Sequence, residues 1–140
     1  MNGDERFNVR VYGIWIQEGR VLVNEETIKG KSYIKFIGGG LEYGEGIINC
    51  LHREWKEELN LDIKVLEHFY TTEFFQKSYF DKSQVISIYY LIEPLHPDPY
   101  IINSNPAEYT HWIKLEDITQ DTFSLPIDKV VAKMLCKRFL

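Results

Sequence analysis

The sequence predicts an α+β architecture, a mixed β-sheet held between helices in an α/β/α sandwich. Three observations carry that prediction. Runs rich in β-branched and aromatic residues lie both before and after one amphipathic helix pattern. A second helical pattern closes the chain. The length of 140 residues suits one domain (1–140), burying something like two thirds of its unfolded surface.

In chain order, Phe7 to Gln17 (FNVRVYGIWIQ) reads as a strand, and Glu18-Gly19 turns it into Arg20 to Val23, forming a hairpin. A polar link from Asn24 to Ser32 leads to a third strand, Tyr33 to Ile37, which feeds Gly38-Gly39-Gly40 as a loop. A helix is predicted from about Gly46 to Leu59, with Ile48, Leu51, Trp55 and Leu59 on its core face. Leu61 to Gln76 and Gln84 to Ile92 read as paired strands, and Tyr109 to Ile113 as another. Between them Glu93 to Ala107 carries Pro94, Pro97, Pro99 and Pro106 and reads as an irregular connection. From Ser124 and Pro126, the residues Ile127, Val130, Val131, Met134 and Leu135 recur at helical spacing.

Composition narrows the function classes. The chain is 44% hydrophobic and 26% charged, as in an ordinary globule, and no apolar run approaches the roughly 20 residues of a membrane span. The polar N-terminus is no secretory signal, so a cytoplasmic location is expected. Cys50 and Cys136 lack metal-ligand or CxxC spacing and are expected to be buried reduced thiols. A formal net charge of -5 argues against a nucleic-acid polymer as partner but leaves small nucleotides open. No internal repeat is present, and a homodimer is left open.

The chemistry is concentrated between Gly38 and Leu61 (GGGLEYGEGIINCLHREWKEELNL). Glu54, Glu57 and Glu58 fall at i, i+3 and i+4 and cluster on one helix face, where like charges repel. Two carboxylates about 6 Å apart at an effective dielectric near 20 repel by about 3 kcal/mol, which favours a divalent cation or a raised pKa. Hard carboxylate oxygens suit Mg2+ or Mn2+. Three Glu alone are more often a solvated acidic face; the residues around them change that reading. A strand, a Gly-rich loop and a helix in succession let backbone approach a diphosphate or a metal without side-chain obstruction, which makes Gly39 and Gly40 candidates for substrate approach, although loops with three glycines are more often just turns.

Gly39, Glu45, Arg53, Glu54, Glu57 and Glu58, in the order G-x5-E-x7-R-E-x-x-E-E with apolar Trp55 and Leu61 in place, resemble the signature of the Nudix hydrolases. The match covers about a sixth of the chain; the rest agrees in its order of elements. The resemblance implies metal-dependent cleavage of the diphosphate in a nucleoside diphosphate linked to another group. It implies that Glu54, Glu57 and Glu58 hold the metal with the carbonyl of Gly38, that Glu54 is the base for the attacking water, and that Glu45 pairs with Arg53, which steers the carboxylates. Two positions depart from the family pattern. Asn60 stands where Gly usually ends the helix, and Asn is the next best left-handed stop. Ile37 stands where many members carry Pro.

The resemblance also implies a further Glu outside the signature, shortly before a strand bearing Trp. Glu108, four residues before Trp112, is the candidate, with Glu93 second. Lys35 and Arg10 are candidates for gripping phosphate, and Arg20 is the third cation on the nearby strands. Asn24-Glu25-Glu26 occupies a position where several members carry a basic pair. Tyr70, Phe74, Phe75 and Tyr79 either stack on a nucleobase or pack in the core, with core packing favoured. His52, His68, His96 and His111 have no metal spacing and are taken as structural or surface residues. The expected activity is a Mg2+- or Mn2+-dependent pyrophosphohydrolase of (d)NTPs, ADP-ribose or nucleotide sugars. The alternative is a nucleotide-binding sensor that kept the fold and lost catalysis; such modules lose signature carboxylates, and all are present here.

Overall fold

The computed structural model describes residues 5–96, 101 and 105–140. Its elements are β1 (Phe7–Ile14), β2 (Ile16–Gln17), β3 (Arg20–Ile28), β4 (Lys31–Lys35), β5 (Ile37–Gly40), α1 (Ile47–Leu59), β6 (Ile63–Thr71), β7 (Gln84–Pro94), β8 (Glu108–Lys114) and α2 (Pro126–Phe139), with a 3-10 turn at Leu115–Asp117. The strands form two sheets. One has the order β5-β1-β7-β6 and is mixed, because β1 and β7 run parallel while β5 and β6 join antiparallel. The other is antiparallel: β3 pairs β8 over its first seven residues, and pairs β2 and then β4 in successive stretches.

Alternation along the strands divides the interior into two cores. Val11 and Ile37 join Leu51, Trp55 and Leu59 of α1, whereas Tyr12, Ile14, Val21 and Val23 join Ile127, Val131 and Leu135 of α2. Period-two side chains therefore feed helices on opposite faces, the layering expected from the sequence. Gly13 is needed where the layers meet. A Cβ there would lie 2.5 Å from Nε1 of the fully buried Trp55.

α1 ends at Asn60, which takes the left-handed conformation (φ 57). Its N–H bonds the carbonyl of Lys56 at 3.0 Å, and the N–H of buried Leu61 reaches Trp55 O at 3.4 Å. That is the expected stop, closed by the 5→1 bond of an αL cap. The Glu18-Gly19 turn has φ 53 and 73, both left-handed, as a tight two-residue hairpin requires.

Several expectations give way. Asn24 to Ser32 is not a link: β3 runs on to Ile28 and turns at Lys29-Gly30 (φ 51 and 78) into β4, a second hairpin. Gly38 to Gly40 are not loop but strand β5, in register with Tyr12, Val11 and Arg10. Ile48 is exposed, and Cys50 fills the core position beside Leu51, because the buried stripe of α1 is rotated by part of a turn. Phe74 and Phe75 are exposed, since β6 ends at Thr71, while Tyr70 is core. Cys50 is buried, Cys136 only half-buried, and both are free thiols. Within the Pro-rich connection β7 extends through Pro94, and residues 97–100 and 102–104, including Pro97 and Pro99, lie outside the described residues. Among the described residues no helix is long and apolar enough to cross a membrane.

Candidate active site

The signature residues meet where α1 crosses β5. Gly39 pairs with Val11, and a Cβ on Gly39 would fall 2.4 Å from Cδ of Glu54 and 2.5 Å from both of its oxygens. The strand surface and the Glu54 carboxylate are therefore in contact through the space a side chain would fill. Gly38 is excluded from carrying a side chain for a different reason, since its Cβ would lie 2.0 Å from the backbone oxygen of Val11. One glycine seats a carboxylate and the other permits the strand pair.

Arg53 organises the acidic residues around it. It donates through Nε and Nη2 to the two oxygens of Glu45 (3.0 and 2.6 Å), through Nη2 to the carbonyl of Gly40 (3.1 Å), and through Nη1 to Glu54 Oε1 (2.9 Å). A planar fork with five donors satisfies strand, turn and helix together in a way lysine has no geometry for. Arg53 holds the Glu45 carboxyl down to about 2, with the backbone N–H of Glu42 adding to it. Glu57 takes a weaker 3.3 Å contact from the same guanidinium and is largely exposed.

On the other side of Glu54 the carboxylates of Glu58 and Glu108 come together from α1 and β8. The side-chain amide of buried Asn24, on β3, donates to Glu108 Oε2 (3.2 Å) and Glu58 Oε2 (3.4 Å). Burial, then Glu108 and Glu54, raise the Glu58 carboxyl to about 8. Burial also raises Glu54 against the pull of Arg53, and burial followed by the charge of Glu26 raises Glu108. These are acids kept out of water near one another without enough positive charge.

Of the residues singled out in the sequence, the structure thus brings together Glu45, Arg53, Glu54, Glu58, Glu108, Gly38, Gly39 and Gly40. Glu57 stands at the rim. Glu93 is exposed at the end of β7 opposite Lys64, and Arg20 lies against Trp112 and Glu18. Arg10, opposite Gly40, donates to the Tyr12 hydroxyl (2.6 Å) and also feels Glu54 and Glu58. Lys35 bonds Glu26 at 2.5 Å. His52, His68 and His96 are exposed; His111, half-buried, faces Glu25 at 3.4 Å.

Among the described residues no three His, Cys, Asp or Glu side chains are drawn closely enough together to enclose a metal ion as they stand. The donor set nevertheless fits a hard divalent cation, because Glu54, Glu58 and Glu108 all have their charged forms disfavoured beside one another. A cation would relieve that cost.

Arg10 and Lys35 open onto a cavity of about 200 Å³ whose wall includes Tyr12, Ser87, Tyr89, Tyr79 and Asp128. Asp128 is buried, accepts the Tyr89 hydroxyl at 2.5 Å, and is raised by burial to about 6. Sequence reasoning missed Asp128 and Asn24. An acidic residue just inside a Pro-started helix reads as an ordinary first-turn charge, and Asn24 looked like the start of a polar loop. The available signal for Asn24 was its position directly after the apolar Val21-Leu22-Val23.

Over residues 5–134 the sequence matches the NUDIX domain family. No curated protein matches the chain. Among solved structures, the MutT protein from Methanosarcina mazei Go1 superposes with a TM-score of 0.76 at 18% identity, covering 96% of each chain. The E. coli ORF135 protein gives 0.75 at 19% identity, over 99% of this chain and 96% of that one. A MutT NUDIX hydrolase from Burkholderia pseudomallei gives 0.74 at 14% identity, over 91% of this chain and 97% of that one. At such identities these three are likenesses of fold.

Proposed function

The chain belongs to the NUDIX family, and from that premise we propose that it is a metal-dependent hydrolase that cleaves the diphosphate linkage of a nucleoside diphosphate derivative by attack of water at phosphorus. The observation that carries this reading is the seat of Glu54: one carboxylate oxygen tied to Arg53, the whole group against bare Gly39, and Glu58 and Glu108 alongside.

Glu54, Glu58 and Glu108, with the Gly38 carbonyl and Glu57 at the rim, would hold Mg2+ or Mn2+. Bound there, the ion supplies positive charge against phosphate oxygens and makes nearby water more acidic. Glu54 is the base. Arg53 engages its Oε1 and leaves Oε2 to accept the proton of the attacking water. Arg53 and Glu45 fix the direction from which Glu54 acts. Arg10 and Lys35 stand between the carboxylates and the cavity, where their N–H groups meet phosphate oxygens carrying the opposite charge. Gly39 and Gly40 keep that approach clear. The nucleoside enters the cavity, with Tyr79 along it and Asp128 and Ser87 at polar positions against the base.

Nucleoside triphosphates are the preferred substrates in this reading, with ADP-ribose and nucleotide sugars next. The test is a panel of nucleoside triphosphates, oxidised triphosphates, ADP-ribose, nucleotide sugars and dinucleoside polyphosphates, assayed with Mg2+ for release of phosphate, pyrophosphate or nucleoside monophosphate. Wild type turns over at least one class, and Glu54→Gln loses at least about 10²-fold in turnover. Binding without turnover across the panel would instead identify a nucleotide sensor.

A further inference from the structure

We infer that Asn24 is the positioning residue that sets the divalent-cation site, a neutral clamp that fixes the Glu58 carboxylate of α1 against the Glu108 carboxylate of β8. The inference rests on the proposed metal-dependent reading and extends it to a residue outside the signature.

Asn24 lies in the middle of the β3 ladder, opposite Lys35 on one side and Thr110 on the other. Val21, Leu22 and Val23 before it are all core, and Asn24 itself is only 3% exposed. A buried amide is costly unless its donors and acceptor are used. Here the uses are specific. The Thr110 hydroxyl donates to Oδ1 at 2.5 Å, which determines the orientation of the amide. Nδ2 must then face the other way, where its two hydrogens meet Glu108 Oε2 at 3.2 Å and Glu58 Oε2 at 3.4 Å. Two carboxylates from different elements, which would otherwise repel, are bridged by one group.

The charge of that group matters as much as its geometry. A lysine or arginine in its place would neutralise the pair and compete with a cation for the same oxygens. An amide donates without adding charge, so it aims both carboxyl groups at a shared point and leaves their negative charge to be met by a cation. Lys35, the cross-strand neighbour of Asn24, bonds Glu26 at 2.5 Å, and its charge reaches Glu58 and Glu108 through space. Thr110, whose hydroxyl fixes the Asn24 amide, is a second component that acts through Asn24.

Mn2+ alone, titrated calorimetrically into the full chain, reads this without any catalytic step. Asn24→Ala and Asn24→Leu, the second retaining the bulk, are expected to weaken Mn2+ binding by about 10- to 100-fold, the range for groups that orient metal ligands. Thr110→Val should weaken it about threefold or more, and Thr110→Ser, which restores the hydroxyl, should return it to within about twofold of wild type. Mn2+ affinity within twofold of wild type in folded Asn24→Leu overturns the inference. Should the Asn24 variants not fold, equal affinities of Thr110→Val and Thr110→Ser overturn it. Failure of the underlying metal reading has a different signature: Glu58→Gln and Glu108→Gln then bind Mn2+ as wild type does, or wild type itself does not bind it.

Discussion

Replacing Gly39 by alanine separates the position of Glu54 from the integrity of the fold. The added methyl carbon would sit 2.4 Å from Glu54 Cδ, about 1 Å inside ordinary van der Waals contact. What it meets is the far end of a flexible side chain, and Gly39 has no left-handed φ, so the backbone accepts alanine and the carboxylate gives way. Loss of unfolded-chain freedom stabilises by about 0.4–1 kcal/mol, which offsets part of the displaced Arg53–Glu54 contact. Stability should therefore stay within about 1 kcal/mol of wild type. A reacting group misplaced by about 1 Å costs on the order of 10²-fold in rate. Steady-state nucleotide hydrolysis in saturating Mg2+, run beside urea unfolding, gives both numbers. Near-wild-type turnover in a fully folded Gly39→Ala protein would refute the argument that the bare glycine seats the base. Gly38→Ala is the contrasting control: its methyl would stand 2.0 Å from the Val11 backbone oxygen, which cannot swing aside, so this variant should lose the β1–β5 pairing and unfold at lower urea.

Other consequences follow from the same geometry. Gly13→Ala forces a methyl to 2.5 Å from the buried Trp55 indole and should destabilise by about 1–3 kcal/mol, as overpacking does, read as a lower urea midpoint. Without metal, Glu58 protonates at about 8 in the fold against an ordinary 4.5, so the native state binds the extra proton and stability falls as pH rises through that window. Melting temperatures in EDTA should drop from pH 5 to pH 8, Glu58→Gln should flatten the drop, and Mg2+ should reverse it in wild type; a pH-independent wild type contradicts the cluster. Arg53→Lys keeps the charge but loses the fork to Glu45 and Gly40, and should lower turnover by about 10-fold or more with stability changed by roughly 1–2 kcal/mol. Equal turnover would remove Arg53 from the orienting role.

How much of this was readable in the chain depended on whether the information was local. The span of α1, its stop at Asn60 and the turn at Glu18-Gly19 follow from side-chain period and left-handed propensity, and they appear as read. The triple glycine was harder. Glycine runs signal turns, and only pairing with β1 makes Gly38 to Gly40 a strand, so the residue that most constrains Glu54 was assigned to the right place but the wrong element. The Lys29-Gly30 hairpin was hidden because Asn24, Glu25 and Glu26 are polar for tertiary reasons. Asn24 serves two acids, and Glu26 pairs with Lys35. Glu108 was singled out through the family resemblance and lies beside Glu58, whereas Asp128 required the cavity, since nothing in its neighbours indicates that α2 buries it against Tyr89.

The most direct measurement is anomalous diffraction from crystals grown with Mn2+ and a non-hydrolysable nucleotide. The account predicts manganese peaks bounded by Glu54, Glu58 and Glu108 on the Gly38–Gly39 side of α1, with phosphate oxygens turned toward Arg10. Nucleotide bound with the metal elsewhere, or with those three carboxylates in contact only with solvent, would contradict it.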